Sequence, residues 1–99
     1  MRVCLKATMP VEAGNAARKS GQMEALIEQT IGRTKPEAIY FMATGGERSF
    51  YCFFDLKDPS DIPSIAEPLF AGVNARIEVT PCMNLDDLRT GLQRAPKPK

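Results

Sequence analysis

The sequence predicts an α+β fold: four strands and two main helices in the order strand, helix, strand, strand, helix, strand, followed by a short terminal helix. Three observations predict it. Residues 2–8 and 74–80 alternate apolar and polar side chains, the period of half-buried strands. Gly45-Gly46 marks a tight turn between two runs rich in Phe and Tyr. Two stretches of helical period, around Leu26 and around Ile65, fall between these strands.

Each element has its own justification. In RVCLKAT (2–8), Val3, Leu5 and Ala7 lie on one side and Arg2, Cys4, Lys6 and Thr8 on the other, and Met9-Pro10 ends the run. Residues 11–33 read as helix, clearest where Met23, Leu26, Ile27, Thr30 and Ile31 share a face. Gly14 and Gly21 weaken its first half, which reads as either a separate turn of helix or a loop, and Gly32 is the expected stop. The hairpin strands are expected near 37–44 and 47–56. With Gly45-Gly46 as a two-residue turn, Phe41 opposes Phe50, Tyr40 opposes Tyr51, Ile39 opposes Cys52 and Ala38 opposes Phe53.

Residues 58–72 form a capped helix, with Asp58, Ser60 or Asp61 accepting its first free N–H groups and Ile62, Ile65, Ala66, Leu69 and Phe70 as its apolar stripe. Pro68 is expected to kink or fray its end, and Gly72 to release the chain into the last strand. Asn84 with Asp87 three residues on starts a short helix whose Leu85, Leu88 and Leu92 form one stripe. One domain over residues 1–92 is expected, with a flexible basic tail over 93–99.

This order is the ferredoxin-like, split βαβ plan, with the first and third strands central and both helices on one face of a four-stranded antiparallel sheet. The helices are expected to cover Val3, Leu5, Ile39, Phe41, Phe50, Cys52, Phe54, Ala75, Ile77 and Val79. The other face would carry Cys4, Lys6, Tyr40, Met42, Tyr51, Phe53, Asp55, Arg76 and Glu78. A patch with two tyrosines, a phenylalanine and a methionine is too aromatic to face water without a reason. A second copy of the chain is the simplest cover. A chain of 99 residues also gains from a partner, because alone it buries only about two-thirds of its unfolded surface.

Composition excludes several functions. The formal net charge of +1 gives no footprint for nucleic acid or an anionic membrane. Apolar runs are too short to span a bilayer, and Lys6 interrupts any signal-peptide core, so a cytoplasmic protein is expected. Three cysteines without a C-x-x-C pair indicate neither a disulfide framework nor a zinc site. The absence of histidine removes the commonest general base and the commonest haem and zinc ligand. No metal and no cofactor is therefore expected.

The segments 36-PEAIYF, 57-KDPSDIPSIAEPLF, 74-NARIEVTP and 83-MNLDDL resemble a family of small bacterial proteins of about this length, over nearly the whole chain. The overall pattern also resembles the dimeric α+β barrel superfamily, in which two such sheets pack face to face around a cavity. The resemblance implies a homodimer and the barrel, and carries over no catalytic residue. A pantothenate synthetase label sometimes attached to the small family has no support here. That enzyme is a larger α/β protein with histidine-bearing nucleotide motifs.

The candidate site is the open face: Lys6, Tyr40, Met42, Tyr51, Phe53, Asp55, Arg76 and Glu78, aromatic rings with a few polar groups, as small-molecule sites commonly are. The same composition also suits a plain protein interface, and Lys6 and Glu78 are expected on neighbouring strands where they would simply pair. The expected function is a homodimer that binds a small apolar or aromatic ligand between its sheets or acts as an interaction scaffold. The alternative is a histidine-free, cofactor-independent enzyme of oxygenase or isomerase type using Tyr40, Tyr51, Asp55 or Glu78. An RNA-recognition strand at RSFYCFF (48–54) fails in detail, since Tyr51 replaces a small residue and Cys52 an aromatic one. Gly45-Gly46 is followed by no G-K-S/T and no helix, so it reads as a hairpin turn and not a phosphate loop. The carboxylates Asp58, Asp61, Asp86 and Asp87 sit where helix capping explains them.

Overall fold

A computed structural model describes residues 1–98. Four strands, β1 (Arg2–Met9), β2 (Ala38–Thr44), β3 (Glu47–Asp55) and β4 (Arg76–Pro81), form one antiparallel sheet in the order β2-β3-β1-β4. Four helices accompany it: α1 (Val11–Ser20), α2 (Gln22–Thr34), α3 (Ile62–Val73, entered through a 3₁₀ turn over Pro59–Asp61) and α4 (Leu85–Arg94). The last residue of the expected tail, Lys99, lies outside the described residues. No helix among the described residues is long and apolar enough to cross a membrane.

The hairpin register is the expected one, with Phe41 opposite Phe50 and Tyr40 opposite Tyr51. Gly45 and Gly46 take φ of 62° and 79°, the left-handed pair that a two-residue turn between twisted strands requires. One sheet face is covered by helices. Val3, Leu5, Ala7 and Met9 of β1, Phe50, Cys52 and Phe54 of β3, Ala17 and Leu26 of the first helices and Ile65, Leu69 and Val73 of α3 form a single core. On the outer strands Ile39, Ile77 and Val79 are only partly buried against this core, and Phe41 is 54% exposed at the β2 edge.

Two helix ends differ from the expected ones, and the division left open in the first half of 11–33 falls at Gly21. The 11–33 stretch is two helices, because Gly21 takes φ 82° and closes α1 while opening α2. Helix α2 runs through Gly32 to Thr34 and ends at Lys35 with φ 46°, since Pro36 disfavours the right-handed conformation for the residue before it. Helix α3 continues through Gly72 to Asn74, whose φ of 51° makes the cap. Gly72 is small because Leu26 of α2 lies against it: a Cβ there would come 2.8 Å from Leu26 Cδ1.

Pro68 does not end α3, which continues to Val73. A proline has no N–H to donate to the carbonyl four residues earlier, here that of Ser64. Arg33 of α2 fills the gap, donating from Nη1 to Ser64 O at 2.7 Å. The missing helical bond thus becomes a tie between the two helices. Buried Thr30 and Thr34 likewise satisfy themselves on the carbonyls of Leu26 and Thr30, both at 2.8 Å. Arg48, at the start of β3, lies over Gly14 of α1 and bonds Asn15 Oδ1 at 3.0 Å.

Candidate functional site

The register arranges the sheet face away from the core helices as rows running from β2 to β4, open in the first two and closed at the middle of the third, where Ser49 and Thr8 are buried. Ala38, Phe53, Cys4 and Thr80 form one row; Tyr40, Tyr51, Lys6 and Glu78 the next; Met42, Ser49, Thr8 and Arg76 a third. The β2–β3 half is therefore aromatic and thioether, and the β1–β4 half is polar. Tyr40 is 61% exposed and Met42 43%, while Tyr51 and Phe53 are half-buried. These side chains make one continuous patch that nothing in a single copy covers.

The middle row holds the densest chemistry. Lys6 Nζ stands 5.6 Å from the centroid of the Tyr51 ring and 3.7 Å from Glu78 Oε2. An ammonium over an aromatic face is attracted by the ring quadrupole, and the carboxylate holds it from the other side. Lys6 thus links the aromatic half of the face to the polar half. In the third row Ser49 Oγ donates to Met42 O at 3.1 Å and lies 2.9 Å from Thr44 Oγ1, whose hydroxyl it can accept from, so the hydroxyl is consumed by its own hairpin.

Of the eight candidate residues, six come together in the first two rows and their border: Lys6, Tyr40, Met42, Tyr51, Phe53 and Glu78. Arg76 stands at one end, where it reaches diagonally across β1 to Glu47 Oε1 at 2.6 Å. Asp55 stands at the opposite end and accepts from the Met1 amine at 2.6 Å, with Lys57 Nζ at 3.8 Å. Hydrogen bonding from that amine holds the Asp55 carboxyl below the usual carboxylate range, with Lys57 adding to the effect. This group is an anchored anion and not a free base.

Sequence reasoning missed Glu47 and Arg2. Glu47 was legible, because it shares the parity of Tyr51 and Phe53. Arg2 bonds Glu37 and reaches Asp87 Oδ2 at 3.4 Å, an arrangement that depends on where α4 starts and leaves no local signal. The Glu37 hydrogen bond raises the Arg2 pKa further. Cys4 and Cys82 are half-buried near this corner, and burial pushes the Cys4 thiol up.

The hollows of a single copy open at the margins of these rows and not over their centre. One of 470 Å³ opens between the end of α2 and the start of α3, lined by Arg33, Lys35, Lys57, Asp55 and Asp61 among others. A second of 470 Å³ surrounds Arg2. A third, of 350 Å³ and apolar, wraps the β2 edge between Met23, Ile27, Phe41 and Met42. Among the described residues no cluster of three or more His, Cys, Asp or Glu is placed to hold a metal ion. No protein family matches the chain, and no curated protein does.

Proposed function

We propose that the chain acts as a homodimer in which two sheets of ferredoxin-like order pack open face to open face, as in a dimeric α+β barrel, and that a small apolar or aromatic molecule is held between them. The observation that carries this reading is the row Tyr40, Tyr51, Lys6 and Glu78. Two tyrosines side by side offer ring surface at low entropic cost, and the paired charges beside them offer orienting polar groups, the mixture that small-molecule sites use. The same rings serve as the centre of an interface, so dimerisation and ligand binding draw on one surface.

The chain has no tryptophan and two tyrosines, both in this row, so its intrinsic emission reports on the site alone. Sedimentation at micromolar concentration should find a dimer. A screen of small aromatic and apolar metabolites should then find one that changes tyrosine emission and raises the melting temperature, by RT ln(1 + [L]/Kd) in free energy. That compound should bind Tyr51→Ala at least tenfold more weakly. A dimer with no such compound is an interaction scaffold; a compound that stabilises the protein without touching tyrosine emission places the ligand elsewhere.

A further inference from the structure

We infer that α4 is an exchanged arm: in the dimer its leucine stripe seats in the apolar groove at the β2 edge of the second copy. This rests on the dimer reading above and adds to it the element that locks the dimer. Helix α4 is built to be a helix. Asn84 Oδ1 accepts from the Asp87 N–H at 2.8 Å, and Asp87 Oδ2 accepts from the Asn84 N–H at 3.1 Å, a complete capping box. Yet none of its residues is buried, and Leu85, Leu88 and Leu92 are 59%, 41% and 64% exposed along one stripe. A helix of ten residues is marginal in water unless its apolar face packs on something.

The arm projects from the body. The Cα radius of gyration is 15.9 Å and the long axis 56 Å, where a packed chain of this length has a radius near 13 Å. The longest strand, β3, spans only about 30 Å. The arm is tied at its root, where the Cys82 N–H donates to Arg2 O at 3.1 Å and Asp87 meets Arg2. That root lies at the β4 edge, beside the start of β1.

The apolar groove that would fit the stripe lies at the diagonally opposite corner. It is lined by Met23, Ile27, Phe41 and Met42 at the other edge of the sheet, close to Met9 at the end of β1. From Val3 to Met9 is about 20 Å along the strand, and three strand spacings across the sheet add about 14 Å sideways. Three linker residues, Cys82 to Asn84, with Asp87 already held at Arg2, do not bridge that diagonal. The arm therefore cannot reach its own groove, which leaves the groove of a second copy.

The area agrees. The open sheet face measures on the order of 450 Å² per copy, short of the roughly 800 Å² per partner of a standard interface. Stripe and groove, each used once per copy by two-fold symmetry, add on the order of 300 Å². The groove wraps the β2 edge from Phe41 on the covered face to Met42 on the open one, so it adjoins the face that the dimer would bury. Its methionines adapt to an aliphatic helix stripe.

The test is complementation in the full-length chain. Leu88→Glu with Leu92→Glu breaks the stripe and leaves the core intact, because α4 contributes nothing to it. Phe41→Glu breaks the groove at a position that is 54% exposed. Each variant alone should associate at least 100-fold more weakly than wild type in sedimentation equilibrium. Mixed together they should form a heterodimer tighter than either variant's homodimer, since one stripe then meets one intact groove. A wild-type monomer overturns the dimer reading and the arm with it. A wild-type dimer whose Kd is unchanged by the stripe variant, or a mixture that forms no such heterodimer, overturns the exchanged arm and leaves the face-to-face dimer standing.

Discussion

Phe53→Asp separates the fold of one copy from the contact between two. Phe53 sits on the open face between Cys4 and Ala38, away from the core, so the variant monomer should keep its circular dichroism and its fold. In the proposed dimer the new carboxylate would lie among aromatic rings. The nearest cations are spoken for: Lys6 by Glu78 at 3.7 Å, and Arg2 by Glu37 and Asp87. An unpaired buried carboxylate costs several kcal/mol, and protonation sets the ceiling. From a reference pKa of about 3.9, neutralising the group costs about 4 kcal/mol at pH 7 and about 1.5 kcal/mol at pH 5. Each dimer carries two such sites. The carboxyl pKa rises on association, association takes up protons, and the dimer strengthens as pH falls. Sedimentation equilibrium at pH 7 should show the variant as a monomer at concentrations where wild type is dimeric, with the deficit shrinking at least 100-fold in Kd by pH 5. Phe53→Asn should show no such recovery. A Phe53→Asp Kd within threefold of wild type at pH 7 would refute burial of this face.

Three further outcomes follow from the single chain. A thiol reagent should label Cys82 in the native protein but Cys52 only at the rate of unfolding, because Cys52 is 0% exposed and burial pushes its thiol up against the smaller opposing effect of Thr34; peptide mapping after partial labelling reads the order. Phe50→Ala removes a ring that is 1% exposed and meets Phe41 at 5.9 Å, so urea denaturation at fixed protein concentration should show a loss of about 3–5 kcal/mol. Asp55 has a lowered folded-state pKa, so its contribution is present above about pH 4, its unfolded value, and fades as pH falls through the folded one. Asp55→Asn should therefore lower the urea midpoint slightly at pH 7 and leave it unchanged at pH 2.

What could be read from the sequence was what local rules decide. The Gly45-Gly46 turn fixed the pairing of β2 with β3, and strand parity then placed every open-face residue on the correct side. The capping box of α4 was equally visible as Asn84 and Asp87. The end of α3 was misjudged because its glycine has a packing reason instead of a conformational one. Gly72 makes room for Leu26 across a helix–helix contact, and no window of sequence around residue 72 contains that leucine. That α3 runs on past Pro68 was hidden for the same reason, since the arginine that takes up the freed Ser64 carbonyl comes from another helix. In the candidate site the rows were legible, because they follow from parity. The anchoring of Asp55 and the Arg2 corner were not, because they depend on where the chain brings residues far apart in sequence.

Strand β2 stands at the outer edge of the sheet with seven residues, Ala38 to Thr44, that include no charge and no proline. An edge of that composition is a template for a further strand, and natural edges are commonly blunted by lysine, proline or a bulge. Here the protection would come from the second copy, whose arm covers the Phe41 and Met42 end of this edge. Variants that loosen the dimer would then expose a ready site for filament growth, and their yield would be limited by aggregation before it is limited by folding. Ala43→Glu places a charge on that edge, at an exposed position directly opposite Arg48. It is the substitution with which such variants are best handled in solution.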